Sequence, residues 1–384
     1  MMRRPSIIAL AVVAVVTSVS ASAQGSLGTQ GFGYPPGQFS TRSLATGGAL
    51  SEFDLDSPIN PASTGLAGEP RLFLQYEPEF RRLTNGATSS NTTTSRFPVI
   101  AVLIPAGTHT TLGVSVSTFL DRSSATKITR TLDVAGTLAN ITETNRVVGS
   151  INDVRLSAGY APNQKVQVGL GGHVFTGQNR DQFSQTFPDT LKFSAINQVT
   201  SLSFTGFGVS AGVLLRPSRI LSIGISGLKG AKISTHVGDT TVTEANIPDR
   251  ISAGFSYEGI PGSSISARVS RELWSKLNGL SGPTGSAAVD GWDSGLGLEA
   301  AGPRISERQT IFRLGARFRT LPFEAAKEKV KELSFSGGLG AQFFRNRAAF
   351  DFGAEYATRK SNAASLSDIK ERAFIFSFGL RVRP

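Results

Sequence analysis

The chain of 384 residues contains no cysteine. That absence excludes disulfide scaffolds, thiolate metal sites and cysteine nucleophiles together. An exported chain of this kind also crosses an oxidising compartment without mispairing. Histidine is scarce: His109, His173 and His236 stand far apart in the sequence and none has metal-ligand spacing. No metal and no cofactor is expected. Beyond residue 23 no segment approaches the roughly 20 consecutive apolar residues of a membrane helix. Mean hydropathy is −0.03. A hydropathy plot would read that as soluble, yet alternating strands average to the same value.

Acidic residues are the minority, 28 against 39 Lys and Arg, for a net charge of +11. The bases are scattered rather than interleaved with aromatics, so no nucleic-acid partner is expected. Anionic outer-membrane lipids and lipopolysaccharide are the expected counterpart.

The first stretch is a secretory signal peptide by its pattern. Arg3 and Arg4 make a basic start, Ile7 to Val16 an apolar run too short to span a bilayer, and Ala21-Ser22-Ala23 a small-residue site before Gln24. Residues 1–23 are therefore assigned to the signal, with cleavage after Ala23, 24–69 to an N-terminal plug or hatch, and 70–384 to a barrel.

From Pro70 onward short alternating segments recur to the end of the chain. Phe374, Phe376, Phe378, Leu380 and Val382 share one face, with Ser377, Gly379 and Arg381 on the other. Leu333, Phe335, Leu339, Ala341 and Phe343 alternate with Ser334, Ser336, Gly338, Gly340 and Gln342. Phe312, Leu314, Ala316 and Phe318 alternate with Arg313, Gly315, Arg317 and Arg319. Residues two apart share a sheet face, so each is a strand with one oily side. About fourteen such strands are expected, an even number that suits a closed antiparallel transmembrane β-barrel, all-β in class.

Connections alternate in length. Tight turns are expected at Pro105-Ala106-Gly107, Ala161-Pro162-Asn163, Arg216-Pro217-Ser218, Pro261-Gly262, Gly302-Pro303 and Arg345-Asn346-Arg347. Long polar connections are expected at Arg122–Ile151, Gly177–Thr200 and Lys360–Lys370, with Lys127–Asn145 able to hold a hairpin above the membrane. Short turns on one rim and long loops on the other are an outer-membrane pattern. A soluble β-sandwich also alternates, but has no need of that regularity.

Ahead of the barrel, Ser43-Leu44-Ala45-Thr46-Gly47-Gly48-Ala49 is followed by Asp54 and Asp56, then by Ser57-Pro58-Ile59-Asn60-Pro61-Ala62 and Gly65-Leu66. This stretch resembles the N-terminal region of the FadL/TodX-type outer-membrane channels for hydrophobic compounds, apart from Ser63-Thr64 inserted between Ala62 and Gly65. PorV-type barrels of secretion systems share the signature. The resemblance implies a plug containing Gly47, Gly48, Ala49, Asn60, Pro61 and Ala62. It also implies passive uptake of long-chain fatty acids or aromatic hydrocarbons, small hydrophobic ligands that need no cofactor. A secretion accessory with an envelope protein partner, or a general porin, are the other functions open.

Physically, Gly47-Gly48 permits a tight turn or close approach to a wall, and Asn60 before Pro61 is held out of helix. Small inward residues leave room for such a segment: Ser222, Gly224 and Ser226; Ser252, Gly254 and Ser256; Gly169 and Gly171. An exported tail is the alternative. Arg155, Arg268, Arg313, Arg317, Asp351 and Glu355 fall on inward faces. The arginines are candidates either to meet an anionic headgroup or to pair with the acids inside. Gly208-Val209-Ser210-Ala211-Gly212 spells a nucleophile elbow but lies within an alternating strand rather than a strand-to-helix turn. Gly295-Leu296-Gly297-Leu298-Glu299-Ala300 nearly spells a dinucleotide loop, but no helix follows it. No catalytic site is expected.

The mature protein is expected to begin at Gln24, in the outer membrane of a Gram-negative-type bacterium, and to fold as a β-rich, heat-modifiable species. N-terminal sequencing and far-ultraviolet circular dichroism check this; a helix-dominated spectrum is the contrary result.

Overall fold

Alternation decides the architecture, because a strand with one apolar face must turn it to something other than water. The computed structural model describes residues 27–29, 32–86, 88–134, 137–188, 193–281, 287–305, 308–343, 347–366 and 368–383. The signal segment, and Arg345-Asn346 of one expected turn, lie outside them.

The strands are β1 (Arg71–Asn85), β2 (Thr88–Arg96), β3 (Val99–Pro105), β4 (Thr110–Asp121), β5 (Ser124–Val134) and β6 (Thr137–Tyr160). Next come β7 (Val166–Thr186), β8 (Ile196–Ser218), β9 (Leu221–Val237), β10 (Thr240–Asn246), β11 (Asp249–Ile260) and β12 (Ser263–Leu273). The last are β13 (Gly291–Ile305), β14 (Arg308–Ala325), β15 (Glu328–Phe343), β16 (Ala348–Ser361) and β17 (Ile369–Val382). Three pairs, β2/β3, β4/β5 and β10/β11, are consecutive pieces of one stave, so the sheet has fourteen staves, all antiparallel to their neighbours. Pro98 and Pro248 stand at two of the breaks, where a missing N–H cannot feed the ladder. β1 pairs with β17 from Leu72↔Val382 to Asn85↔Ile369, which closes the barrel.

Outward positions carry Leu170, Leu296, Leu314, Phe335 and Phe374, all exposed, while their neighbours are buried inside. An apolar belt around a ring with no free edge is the arrangement that hydrocarbon requires, since every backbone polar group is satisfied within the sheet.

Two expectations need correction. Two of the long connections are largely strand: the hairpin placed within Lys127–Asn145 is present as β5 and β6, running to Val134 and Thr137, and in Gly177–Thr200 β7 continues to Thr186 and β8 begins at Ile196. These extensions are rich in Thr, Ser, Asn and Gln on both faces, so they carry no apolar alternation. Arg216-Pro217-Ser218 and Gly302-Pro303 are not turns either. They lie inside β8 and β13, where the register shifts between Leu215 and Ser218 and between Ala301 and Arg304. Proline is tolerated at such bulges because the ladder is already interrupted.

Leu314, mid-strand and 62% exposed, faces lipid, whereas Leu138, 76% exposed, sits on the projecting hairpin. Leu314→Arg is expected to cost roughly 2–4 kcal/mol of folding stability and Leu138→Arg to be tolerated. Urea titration of the heat-modifiable form in detergent or liposomes distinguishes them; equal tolerance would remove the membrane from the picture.

Candidate functional site

The inside of the barrel is occupied by the chain's own N-terminal segment. Thr41–Ala45 form a short helix (α1) whose N-cap Ser40 accepts a hydrogen bond from the Ser43 amide at 3.1 Å. The helix ends on two glycines in the left-handed region, Gly47 at φ +62° and Gly48 at φ +78°, with the Gly48 amide donating to the Ser43 carbonyl at 2.7 Å. Only glycine enters that conformation freely. The wall adds its own demand: a Cβ on Gly47 would stand 2.5 Å from the Ala316 carbonyl oxygen, and Gly315, Gly295 and Gly297 are bare opposite it. Ala49 is fully buried there.

Further along, Glu52 and Phe53 lie against Gly224 and Gly254. The Asp54 carboxylate accepts hydrogen bonds from the Ser40, Ser43 and Ser57 hydroxyls, the latter two at 2.8 and 3.0 Å. Burial alone would raise the Asp54 carboxyl; Arg42, those serines and Arg381 outweigh it and hold it below the usual carboxylate range. Asn60 caps a 3-10 turn over Pro61–Leu66 by accepting from the Ala62 amide at 2.9 Å, while its amide nitrogen has no partner. Asn60 packs on Gly212, Pro61 on Gly169, and Gly65 on Gly159. Ala62 is fully buried. Thus Gly47, Ala49, Asn60, Pro61 and Ala62 lie in the lumen against wall glycines, and Gly48 lies there against Phe39.

The six inward charges divide. Arg313 holds Asp351 at 2.6 Å and Glu299 at 2.8 Å. Arg317 holds Asp293 at 2.7 Å, and Arg268 reaches Asp293 at 3.2 Å and Glu52 at 3.6 Å. Glu355 makes no ion pair among the described residues. Arg155 is buried with its Nε and Nη1 unpartnered. A denser network escaped the sequence reading: Tyr34 lies among the guanidinium groups of Arg81, Arg96, Arg319 and Arg359, whose carbons stand 4.2–5.5 Å from its ring centroid. Glu79, Glu332 and Glu371 neutralise them.

Toward the long-loop rim one side of the lumen, against β4 and β6–β10, is apolar. Phe32, Phe119, Phe175, Phe204, Ile233, Trp274 and Phe323 belong to one buried cluster. Trp274 stacks on Phe119 with centroids 5.3 Å apart, and Phe175 meets Phe119 edge-on at 5.0 Å. Beside this cluster a pocket has Phe119, Leu228, Trp274, Leu321 and Pro322 on its apolar side. Gln38, Arg250, Asp293, Arg317 and Arg319 supply its polar side. A second pocket opens toward the short-turn rim, lined by Arg42, Phe53, Asp54, Ser222, Ser256 and Glu299. Residues 35–38 border the first, and Arg42 with residues 50 and 53–55 the second, so the segment stands between them.

The sequence offered one signal for the chamber. Phe175 continues the inward face of Gly169, Gly171 and His173, and Phe204 that of Ser210 and Gly212. A large aromatic on an otherwise small, polar face marks a position where the lumen has something apolar to bury.

No family model and no curated protein matches the chain. Solved structures do. A FadL homologue of Pseudomonas aeruginosa superimposes with a TM-score of 0.60 at 12% identity, covering 91% of this chain and 99% of that one. The chain has the FadL-type fold. The Ralstonia pickettii toluene transporter TbuX matches with a TM-score of 0.58 at 15% identity, over 90% of this chain and 98% of that one. The Pseudomonas putida toluene transporter TodX follows at 0.56 and 11%, over 89% and 97%. TbuX and TodX are named as transporters.

Of the two tryptophans, Trp274 is in the chamber and Trp292 is half exposed on the outer face. In Trp292→Phe protein the fluorescence of Trp274 is expected to change saturably with a benzene-sized apolar probe. Phe119→Ala is expected to weaken that response about tenfold, the equivalent of roughly 1.4 kcal/mol of lost apolar contact. An unresponsive Trp274 would show the chamber closed to ligands.

Proposed function

We propose that this protein is an outer-membrane channel for passive uptake of small hydrophobic compounds, with residues 24–69 as its plug. One observation carries the reading: the lumen holds two pockets, one on the long-loop side backed by the apolar cluster around Phe119 and Trp274 and one on the short-turn side, separated by a folded segment. An apolar compound leaves water for the upper chamber spontaneously. Passage beyond it requires the segment to shift, and diffusion supplies the rest. Long-chain fatty acids and aromatic hydrocarbons are the substrate classes. The named toluene transporters of the same fold support the aromatic class, and Arg250 beside the pocket, its Nε without a partner, suits a carboxylate head. Outer-membrane lipids and lipopolysaccharide surround the barrel. A general porin fits less well, because the described lumen is filled rather than open.

Deleting residues 27–68 is expected to raise single-channel conductance in planar bilayers severalfold or more, while the intact barrel conducts little. Apolar-ligand binding should be present in the intact protein and lost in the deletion, which removes Gln38 and Phe32 from the chamber wall. Unchanged conductance would reduce the segment to a tail. Raised conductance without ligand binding in the intact protein would favour an accessory role beside an envelope protein partner.

A further inference from the structure

Three inward residues that lie 57 positions apart at their extremes in the sequence are brought into hydrogen-bonded series at the edge of the apolar cluster. Asp153 of β6 holds the His173 Nδ1 of β7 with both carboxylate oxygens, at 2.9 and 3.0 Å. The other ring nitrogen, Nε2, lies 2.8 Å from the Ser210 hydroxyl of β8. All three side chains are buried, and the imidazole stacks on Phe175 of the apolar cluster with centroids 6.0 Å apart. Gly171 makes the approach possible: a Cβ there would stand 2.5 Å from Ser210 Oγ and 3.4 Å from both His173 Nε2 and the Arg155 Cδ. Arg155 therefore passes the same point, and its Nε and Nη1 are buried donors without acceptors. The Ser115 hydroxyl, on the cross-strand neighbour of Arg155, is unpartnered as well. Unmade hydrogen bonds on a buried guanidinium are costly, and they mark a place where an anionic oxygen would be stabilised.

We propose that Ser210, His173 and Asp153 form a nucleophile, base and orienting acid that hydrolyse carboxylic esters of hydrophobic compounds inside the lumen. The order of contacts, hydroxyl to imidazole to carboxylate, is that of the serine-hydrolase triads, which recur on unrelated folds by geometry alone. In the first step Ser210 Oγ bonds to the ester carbonyl carbon and its proton passes to His173 Nε2. The carbonyl electron pair moves onto oxygen, facing the free Arg155 donors. Collapse breaks the bond to the alkoxy oxygen, which leaves as the alcohol with the His173 proton. Water then attacks the acyl-serine, gives its proton to His173, and releases the carboxylic acid as Ser210 regains its hydrogen. Asp153 positions the ring throughout and is itself held by Gln38 of the N-terminal segment, which donates to it at 2.9 Å. The apolar cluster beside the trio supplies the substrate class: it contains Phe175 and Leu228, the cross-strand partner of Ser210, and Leu228 lines the adjoining pocket together with Gln38.

Substrate entry rests on the lumen being a path for hydrophobic compounds, but reaction of the serine does not require passage. The purified, heat-modifiable barrel is treated with a fluorophosphonate probe and with the smaller diisopropyl phosphorofluoridate, then read by intact mass and peptide mapping. The expected result is one adduct, on Ser210, absent in Ser210→Ala. His173→Gln and Asp153→Asn, each checked for heat-modifiability, should slow labelling by about 100-fold or more. Hydrolysis of p-nitrophenyl butyrate should fall in parallel. Absence of a Ser210 adduct with both probes in the folded protein overturns the proposal. So does labelling whose rate is unchanged in His173→Gln, which would make the trio a hydrogen-bonded tether for Gln38. Loss of conductance or ligand effects in the deletion experiment leaves this outcome untouched, so the two readings fail separately.

Discussion

A strand in hydrocarbon must have both edges paired, and everything else in this protein follows from meeting that requirement by closing a ring. Pairing of β1 with β17 leaves the sheet without a free edge. Closure divides every stave into an oily outside and an inside cut off from bulk solvent. What fills the inside is then a second packing problem, and the wall addresses it with glycine and serine. Gly47, Asn60, Pro61 and Gly65 each approach wall glycines closely enough that a methyl group would collide. The N-terminal segment has little regular structure of its own. Its polar backbone is held by local turns, by serine hydroxyls around Asp54 and by the barrel.

The charges inside obey a related logic. A guanidinium taken from water costs several kcal/mol unless it is paired, and most lumenal arginines are paired, several of them twice. Tyr34 shows how dense this becomes, with one ring among four cations and its hydroxyl donating to Glu332. Arg155 departs from the pattern. Its position beside His173 and Ser210 is one where the lumen is polar without being complete.

How much of this was legible follows from what each feature does to the sequence. Phe374, Phe376, Phe378 and Leu380 announce a lipid-facing strand because water on one side and oil on the other impose a period of two. Thr126 to Asn145 announces nothing, since a hairpin wetted on both faces needs no alternation. Pro217 and Pro303 resemble turns because bulges and turns both accept a residue without an N–H. For the inward cluster the obstacle is register. The tight turn after Tyr160 fixes β6 against β7, so Asp153 beside His173 could have been derived from the hairpin. The long connection from β7 to β8 fixes no register, and Ser210 opposite Gly171 is visible only once the barrel is closed. The chamber was half legible, in Phe175 and Phe204 on faces otherwise given to small residues.

The way the segment is seated also ties it to the closure of the ring. From Tyr34 at Asp121 to Thr41 at Ser377, Glu52 at Ser226 and Pro61 at Gly169, it touches staves around the whole circumference. A ring already shut would admit this strip of chain only end-on, past the arginines gathered about Tyr34. The segment is continuous with β1, and β1 is one half of the seam. The pairing that leaves the sheet without an edge is also the clasp that holds its contents.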